Sequence, residues 1–309
     1  MWHEKRVFMK EMIDFIHRQF NYNQNKNLFY SGMHSSMHFA PELSSILKKM
    51  NTLNQEDEKK IIDYISEKAL EEFCHVNQYY SFTGEDKQEL KYIYIRLLAV
   101  LKQTLPDDKK ELQIISQNHF LALKNWLLKS NAFSSKVYAN NNELAENVAC
   151  SEYSAELQLR VLNIQLSGLM EPVLDIGCGK QALLVNYLRR KGMEAFGTDR
   201  FETLNKFCQP TDWLEFDYGN KRWGTIISHL GFSNHFNHHH LRIDGNFREY
   251  ALAYVHILQS LKTGGAFFYT PDLPFIEKYL DPAVYTVEKT HSGKEDFKSA
   301  KITRLPTDI

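Results

Sequence analysis

Three kinds of residue in this chain are placed to do chemistry: carboxylates that close apolar runs, glycines at a tight turn, and a cluster of imidazoles. The run Val173-Leu174-Asp175-Ile176-Gly177-Cys178-Gly179 ends in an acid and two glycines, and a helical pattern from Gln181 to Gly192 follows at once. Glycines at such a turn let the backbone approach a ligand closely, because no Cβ intervenes. A second apolar run, Glu194 to Asp199, closes on another acid. That acid lies about twenty residues on, where a nucleoside-binding α/β fold presents a carboxylate to a ribose diol. A third run, Trp213 to Asp217, ends in an acid followed by Tyr218, and a fourth, Gly224 to Leu230, contains Ser228 and His229. Directly after it comes Gly231-Phe-Ser-Asn234-His235-Phe-Asn-His238-His239-His240. Imidazole titrates near neutral pH, so a histidine here could take a proton from a reacting group. His235 is the preferred base and His229 the second, on a loop at the rim of a pocket. The consecutive histidines do not share one helix face, so no metal site is expected.

The Asp175 run resembles motif I of the class I S-adenosylmethionine (SAM)-dependent methyltransferases, (V/I)-L-(D/E)-x-G-x-G-x-G, with Gln181 in the place of the third glycine. Leu261-Lys-Thr-Gly264-Gly265 is similar to that family's turn into its fifth strand. Two strand-like runs, Tyr285–Thr290 and Lys298–Arg304, resemble its closing antiparallel hairpin. The resemblance covers about residues 150–309 and implies SAM as cofactor. It places Asp175 near the amino-acid end of SAM and the Gly177, Cys178 and Gly179 backbone along the methionine and ribose. It gives the ribose hydroxyls to Asp199, with Arg200 beside it, and the adenine amino group to Asp217, with Tyr218 on the ring. Ser228 and His229 fall beside the reacting methyl group. Tyr153 and Gln158, in the helix before the motif, are candidates for the methionine carboxylate, although Ser151 and the nearby glutamates also read as a plain helix start. A nicotinamide dinucleotide fits less well, because G-x-G-x-x-G is absent.

These residues need a scaffold, and the periodicity supplies one. From residue 150 a helix over 151–168 precedes strands at 173–177, 193–198, 212–217, 224–230 and 265–270, alternating with helices. That alternation predicts a parallel sheet covered on both faces. The fold class is therefore α/β, a seven-stranded Rossmann-like methyltransferase sheet with a closing hairpin, preceded by an all-helical domain. Residues 1–148 carry only helical stripes, such as Ile61, Ile62, Ile65, Leu70 and Phe73 after an N-cap at Asn54. Thr83 and Asp86 form a capping-box start, Pro106 opens a later helix, and Ser130 to Asn142 reads as a linker. His34 and His38, four apart, read as helix-surface residues. The domains are thus 1–148, with a lid, substrate or dimerisation role, and 149–309.

At 43% apolar and 24% charged residues with a net charge of −1, the chain has the composition of a soluble globular protein. Balanced charge argues against a broad nucleic-acid surface. No apolar run is long enough to span a bilayer. Four cysteines, Cys74, Cys150, Cys178 and Cys208, show no C-x-x-C spacing, which fits reduced thiols in a cytoplasm. The expected activity is methyl transfer to oxygen or nitrogen of a small molecule, with a homodimer possible through the helical domain. The alternatives are a protein methyltransferase that docks its partner through the helices, and a non-catalytic SAM-binding module.

Overall fold

The computed structural model describes residues 2–30, 37–139, 142–148, 152–291 and 298–306. The chain divides into two compact units, Met1–Cys150 and Ser151–Ile309. His34 and Ser151 lie outside the described residues.

The first unit is helical: α1 (Trp2–Tyr22), α2 (Leu43–Met50), α3 (Gln55–Val76), α4 (Gly84–Gln103), α5 (Lys109–Ser130) and the short α6 (Ser134–Val137). Local chemistry starts the long helices. Asn54 accepts the Asp57 N–H at the head of α3, and Thr83 and Asp86 close a reciprocal capping box on α4. α5 begins later than Pro106 suggested, at Lys109, because the Asp108 side chain caps the Glu111 N–H. Apolar faces of α1, α2, α3 and α4 meet in one core around Met12, Ile16, Ile46, Ile61 and Leu98. The stretch expected to be a linker is part of this unit. Asn131 exchanges two hydrogen bonds with the Ser81 backbone at 3.1 Å each, and Asn27 donates to the carbonyls of Tyr138 and Asn142 at 2.9 and 3.0 Å. Buried Phe133 and Tyr138 complete the anchor. His38 is not helical; its carbonyl accepts from Gln19 and Asn23.

The second unit contains α7 (Ala155–Val161), β1 (Val173–Ile176), α8 (Leu183–Arg190), β2 (Ala195–Asp199), β3 (Cys208–Pro210), β4 (Trp223–His229), α9 (Phe232–His240), α10 (Phe247–Ser260), β5 (Leu261–Thr270), α11 (Pro274–Glu277), β6 (Tyr285–His291) and β7 (Lys298–Arg304). Its seven strands lie in the order β3-β2-β1-β4-β5-β7-β6. β3 to β5 are parallel; β7 runs antiparallel to β5 and β6. The seven-stranded Rossmann-like sheet and its reversed closing strand are those expected from the sequence. α7 is shorter than the helix expected over 151–168 and is capped by Ser154 at the Leu157 N–H. The Lys262–Gly265 turn lies inside β5, where the pairing with β4 shifts register.

The expected third strand over 212–217 is a loop, and the true β3 precedes it. Its aromatic residues are buried without joining the sheet. Trp213 and Tyr218 enter a core with Leu174, Ile226, Phe232, Tyr254 and Phe267 on one face of the sheet. The opposite face packs Val173, Ile227 and Ala195 against Leu184, Val185 and Leu188 of α8. Each buried Val, Leu, Ile or Phe among them contributes about 1.5–3 kcal/mol.

Candidate functional site

The site is built at the carboxyl ends of β1, β2, β3 and β4, where an open α/β sheet leaves a crevice. Strand register sets its floor. Asp175 on β1 lies level with Gly197 on β2, and Gly197 with Cys208 on β3. Gly197 has no side chain because none would fit: a Cβ there would stand 2.7 Å from the Cys208 sulfur and 2.8 Å from that of Cys178. The two thiols thus fill the space above Gly197, hydrogen-bonded to each other. That bond and then burial raise Cys178, whereas Cys208 is lowered, first by the same bond. A pairing across 30 residues of chain leaves no spacing signature in the sequence.

Asp175 is 2% exposed, and its Oδ2 has no hydrogen-bond partner among the described residues. Burial first, then the neighbouring Cys208 and Asp199, push its carboxyl up to about 8. Asp199 ends β2 and accepts the Gly179 N–H at 3.0 Å and the Phe201 N–H at 3.3 Å. Burial raises it, while Arg200 and the two N–H groups oppose the rise. Arg200 stands over the Phe201 ring, and its charge also reaches His235.

The glycine turn has the conformation that its residues permit. Gly177 and Gly179 have φ of 75° and 74°, in the left-handed region. Ala182 also lies there, at 47°, just before α8. Gln181 is accommodated by directing its N–H, with that of Lys180, at the Glu152 carboxylate, each bond 3.1 Å. Glu152 lies directly over Gly179, where an added Cβ would meet its Cδ at 3.0 Å. Neither this glutamate nor its role was visible in the sequence, since it sits 28 residues from the turn it caps.

The structure relocates several expected site residues. Asp217 is exposed and caps its own turn at the Gly219 N–H. The acid that follows β3 is Asp212, which accepts the Leu214 N–H at 2.9 Å. Tyr218 is buried, donates to the Trp213 carbonyl at 2.8 Å and faces no open space for a ring to stack in. Trp213 instead occupies the crevice floor: its ring lies 3.1 Å from where a Cβ of Gly177 would be, and edge-on to His235 at 4.8 Å. Ser228 is fully buried and braces the strand ends, donating to the Ile176 carbonyl and accepting from the Phe232 N–H, both at 3.0 Å. Gln158 turns onto the Tyr153 carbonyl at 2.8 Å. Tyr153 stands edge-on to His229 at 5.0 Å, which joins the segment before α7 to the end of β4.

The histidine segment is the helix α9, not a rim loop. Phe232, Ser233, His235, Phe236 and His239 form its buried face. Burial, then the charges of Arg200, His239 and His238, hold His235 well below the usual imidazole range. His239 accepts the Asn246 N–H through Nδ1 and stacks on Tyr250; His238 meets Arg242, and His240 stacks on Phe275. These imidazoles are packing and capping groups. His229 alone of the two expected bases is partly exposed at a strand end, with burial lowering it to about 4.

No family model and no curated protein matches the sequence. The chain is similar in fold to solved methyltransferase structures. An rRNA methylase from Streptococcus thermophilus is 15% identical, with 51% of this chain and 100% of that one covered at a TM-score of 0.35. The N-methyltransferase NodS from Bradyrhizobium japonicum is 13% identical over 49% and 96%, at 0.35. A 1,6-didemethyltoxoflavin-N1-methyltransferase from Burkholderia thailandensis is 16% identical over 44% and 71%, at 0.31. Among the described residues no helix is long and apolar enough to cross a membrane.

Proposed function

We propose that the second unit binds SAM over the ends of β1 to β4 and transfers its methyl group to an oxygen or nitrogen of a small molecule. One observation carries this reading: three carboxylates, Asp175, Asp199 and Asp212, stand at the ends of three adjacent parallel strands beside a left-handed glycine turn. SAM presents a cationic amino-acid end, a ribose diol and an adenine amino group in that order. The donor set fits. Asp175, buried with an unpartnered oxygen, suits the cationic end, where a neighbouring positive charge would favour its ionised form. Asp199 suits the diol. Asp212 replaces Asp217 as the acceptor for the adenine amino group, because β3 ends at Pro210.

SAM supplies a methyl carbon already activated by the sulfonium charge. The chain's own work is placement: the Gly177–Gly179 backbone permits close approach, Trp213 closes one side, and Tyr153 with His229 flanks the end of β4. A protonated acceptor there would lose its proton to the neutral imidazole of His229, whereas His235 is a packing residue. A non-catalytic SAM-binding module is the second reading. It is favoured by the burial of His235, which removes one of the two expected bases from reach of an acceptor.

Calorimetry with SAM and S-adenosylhomocysteine is the test. Saturable binding that Asp199→Ala weakens by about 1.5–3 kcal/mol, the range for a hydrogen bond to a charged group, is the expected result. Binding of NADH but not of either SAM compound would sink the proposal.

A further inference from the structure

The helical unit contains a partly open cavity of about 180 Å³. Its wall is apolar, from Ile16 of α1, Ile65 and Ala69 of α3, Leu98 of α4 and Leu123 of α5. Polar side chains interrupt it, among them the charged Lys26 and Glu72, the latter paired with Lys68 at 2.8 Å, and two rings, Tyr94 of α4 and His119 of α5, with centroids 5.2 Å apart. Neither the Tyr94 nor the His119 side chain has a hydrogen-bond partner among the described residues. Other polar groups at the wall have partners: Gln19 holds the His38 carbonyl and the Ala40 N–H, Asn27 the carbonyls of Tyr138 and Asn142, and Ser116 the Met37 carbonyl.

A packed core does not ordinarily contain such a space, and a buried tyrosine hydroxyl such as that of Tyr94 ordinarily finds a partner, while His119 beside it is partly exposed. A concave apolar wall with a few convergent polar groups is the form of a small-molecule site. We propose that this cavity binds a small, mostly apolar molecule with one uncharged hydrogen-bonding group, held between Tyr94 and His119. The size follows from the volume: an engineered apolar cavity of about 150 Å³ takes up benzene, so this one suits a molecule of about seven to ten non-hydrogen atoms. The charge follows from the wall. Tyr94 is held un-ionised, and His119 is lowered to about 4, burial being the cause for both. At neutral pH the Tyr94–His119 pair therefore offers a hydroxyl donor and a neutral imidazole, and neither ring supplies a countercharge for a carboxylate or an amine. A phenol or a short alcohol matches; an anion of the same size does not. The site lies within the first unit and does not depend on methyl transfer.

The test uses the full chain and three probes of similar shape, p-cresol, toluene and 4-methylbenzoate, by calorimetry and ligand-observed NMR. Saturable p-cresol binding is expected at about 10 µM to 1 mM. Toluene should bind about fivefold to tenfold more weakly, the worth of one hydrogen bond, and 4-methylbenzoate not at all. Tyr94→Phe should bring p-cresol to the toluene level and leave toluene unchanged. Ala69→Phe, which fills the cavity, should abolish binding of both, with circular dichroism confirming the fold. If Ala69→Phe does not fold, Tyr94→Phe decides. The proposal is overturned if neither p-cresol nor toluene binds, if 4-methylbenzoate binds as well as p-cresol, or if p-cresol affinity survives Tyr94→Phe or a folded Ala69→Phe.

Discussion

Replacing Asp175 by asparagine should make the second unit more stable, and by an amount that grows with pH. Asp175 is buried at the centre of the sheet with one oxygen unpartnered, and its carboxyl is raised from 3.8 to about 8. The unfolded chain therefore releases a proton between these values that the folded chain retains. Fewer protons bound in the unfolded state mean that stability falls as pH rises. The contribution is fully present below pH 4, declines by about 1.4 kcal/mol per pH unit above it, and has lost about 5 kcal/mol by pH 8. Asparagine has nearly the same shape and does not titrate. The difference between Asp175→Asn and wild type should then be near zero at pH 4, about 3 kcal/mol at pH 6 and about 5 kcal/mol at pH 8, as an upper bound. Urea-dependent hydrogen exchange of the β1 and β4 peptides measures it, because those peptides report the second unit alone. Taking the difference cancels the histidines, whose lowered values act in the opposite sense. A gap that is flat with pH would refute the argument, since it would mean that Asp175 is already ionised in the folded protein. The same variant should bind S-adenosylhomocysteine more weakly, because the ionisable partner for the ligand's ammonium is gone.

Asp212→Ala should weaken S-adenosylhomocysteine by about 1–2 kcal/mol, and Asp217→Ala should leave it unchanged. Calorimetry that gave the reverse order would reinstate Asp217 as the adenine acceptor. Once an acceptor is found, His229→Ala should cut turnover by about 10²–10⁴ if the imidazole takes the proton. The wild-type profile should then be flat above neutral pH and fall only towards about pH 4, where burial has placed this group; a fall centred near 6.5 would exclude His229 as the source. Asn131→Ala strips the Ser81 N–H and carbonyl of their partners and should destabilise the helical unit by about 2 kcal/mol in urea unfolding.

The first glycine turn was legible because every requirement is local: a buried strand, a left-handed turn and a helix must follow one another within about fifteen residues. Asp175, Gly177, Gly179 and Asp199 accordingly stand together at the strand ends. The helix caps at Asn54 and Thr83 were legible for the same reason. β3 was not, since it is three residues long, Cys-Gln-Pro, and two of them are exposed. The aromatic run behind it imitated a strand because Trp213 and Tyr218 are buried, but their backbone turns on itself through Asp212 and Asp217. The histidine run misled in the opposite way. Its letters are polar, and only the contacts of Phe232 and Phe236 with Tyr250 and Phe275 reveal a helix that buries His235 and His239. The stretch after α5 reads as loop grammar, while in space the carbonyls of Tyr138 and Asn142 accept from the Asn27 side chain, more than a hundred residues away.

Glu152 gives the glycine turn an occupant of its own. Its carboxylate is tethered to the unit whose N–H groups it binds, so its effective concentration there is of the order of millimolar or more, whatever the protein concentration. Any ligand that needs the Lys180 and Gln181 N–H groups binds only the fraction of molecules in which the glutamate has let go. Its apparent dissociation constant is the intrinsic one divided by that fraction. A turn capped nine-tenths of the time would thus read as about tenfold weaker than its own chemistry warrants. On the proposed reading, affinity at this crevice is set in two places: by the three carboxylates that would receive a ligand, and by the short segment ahead of α7 that must first release the turn.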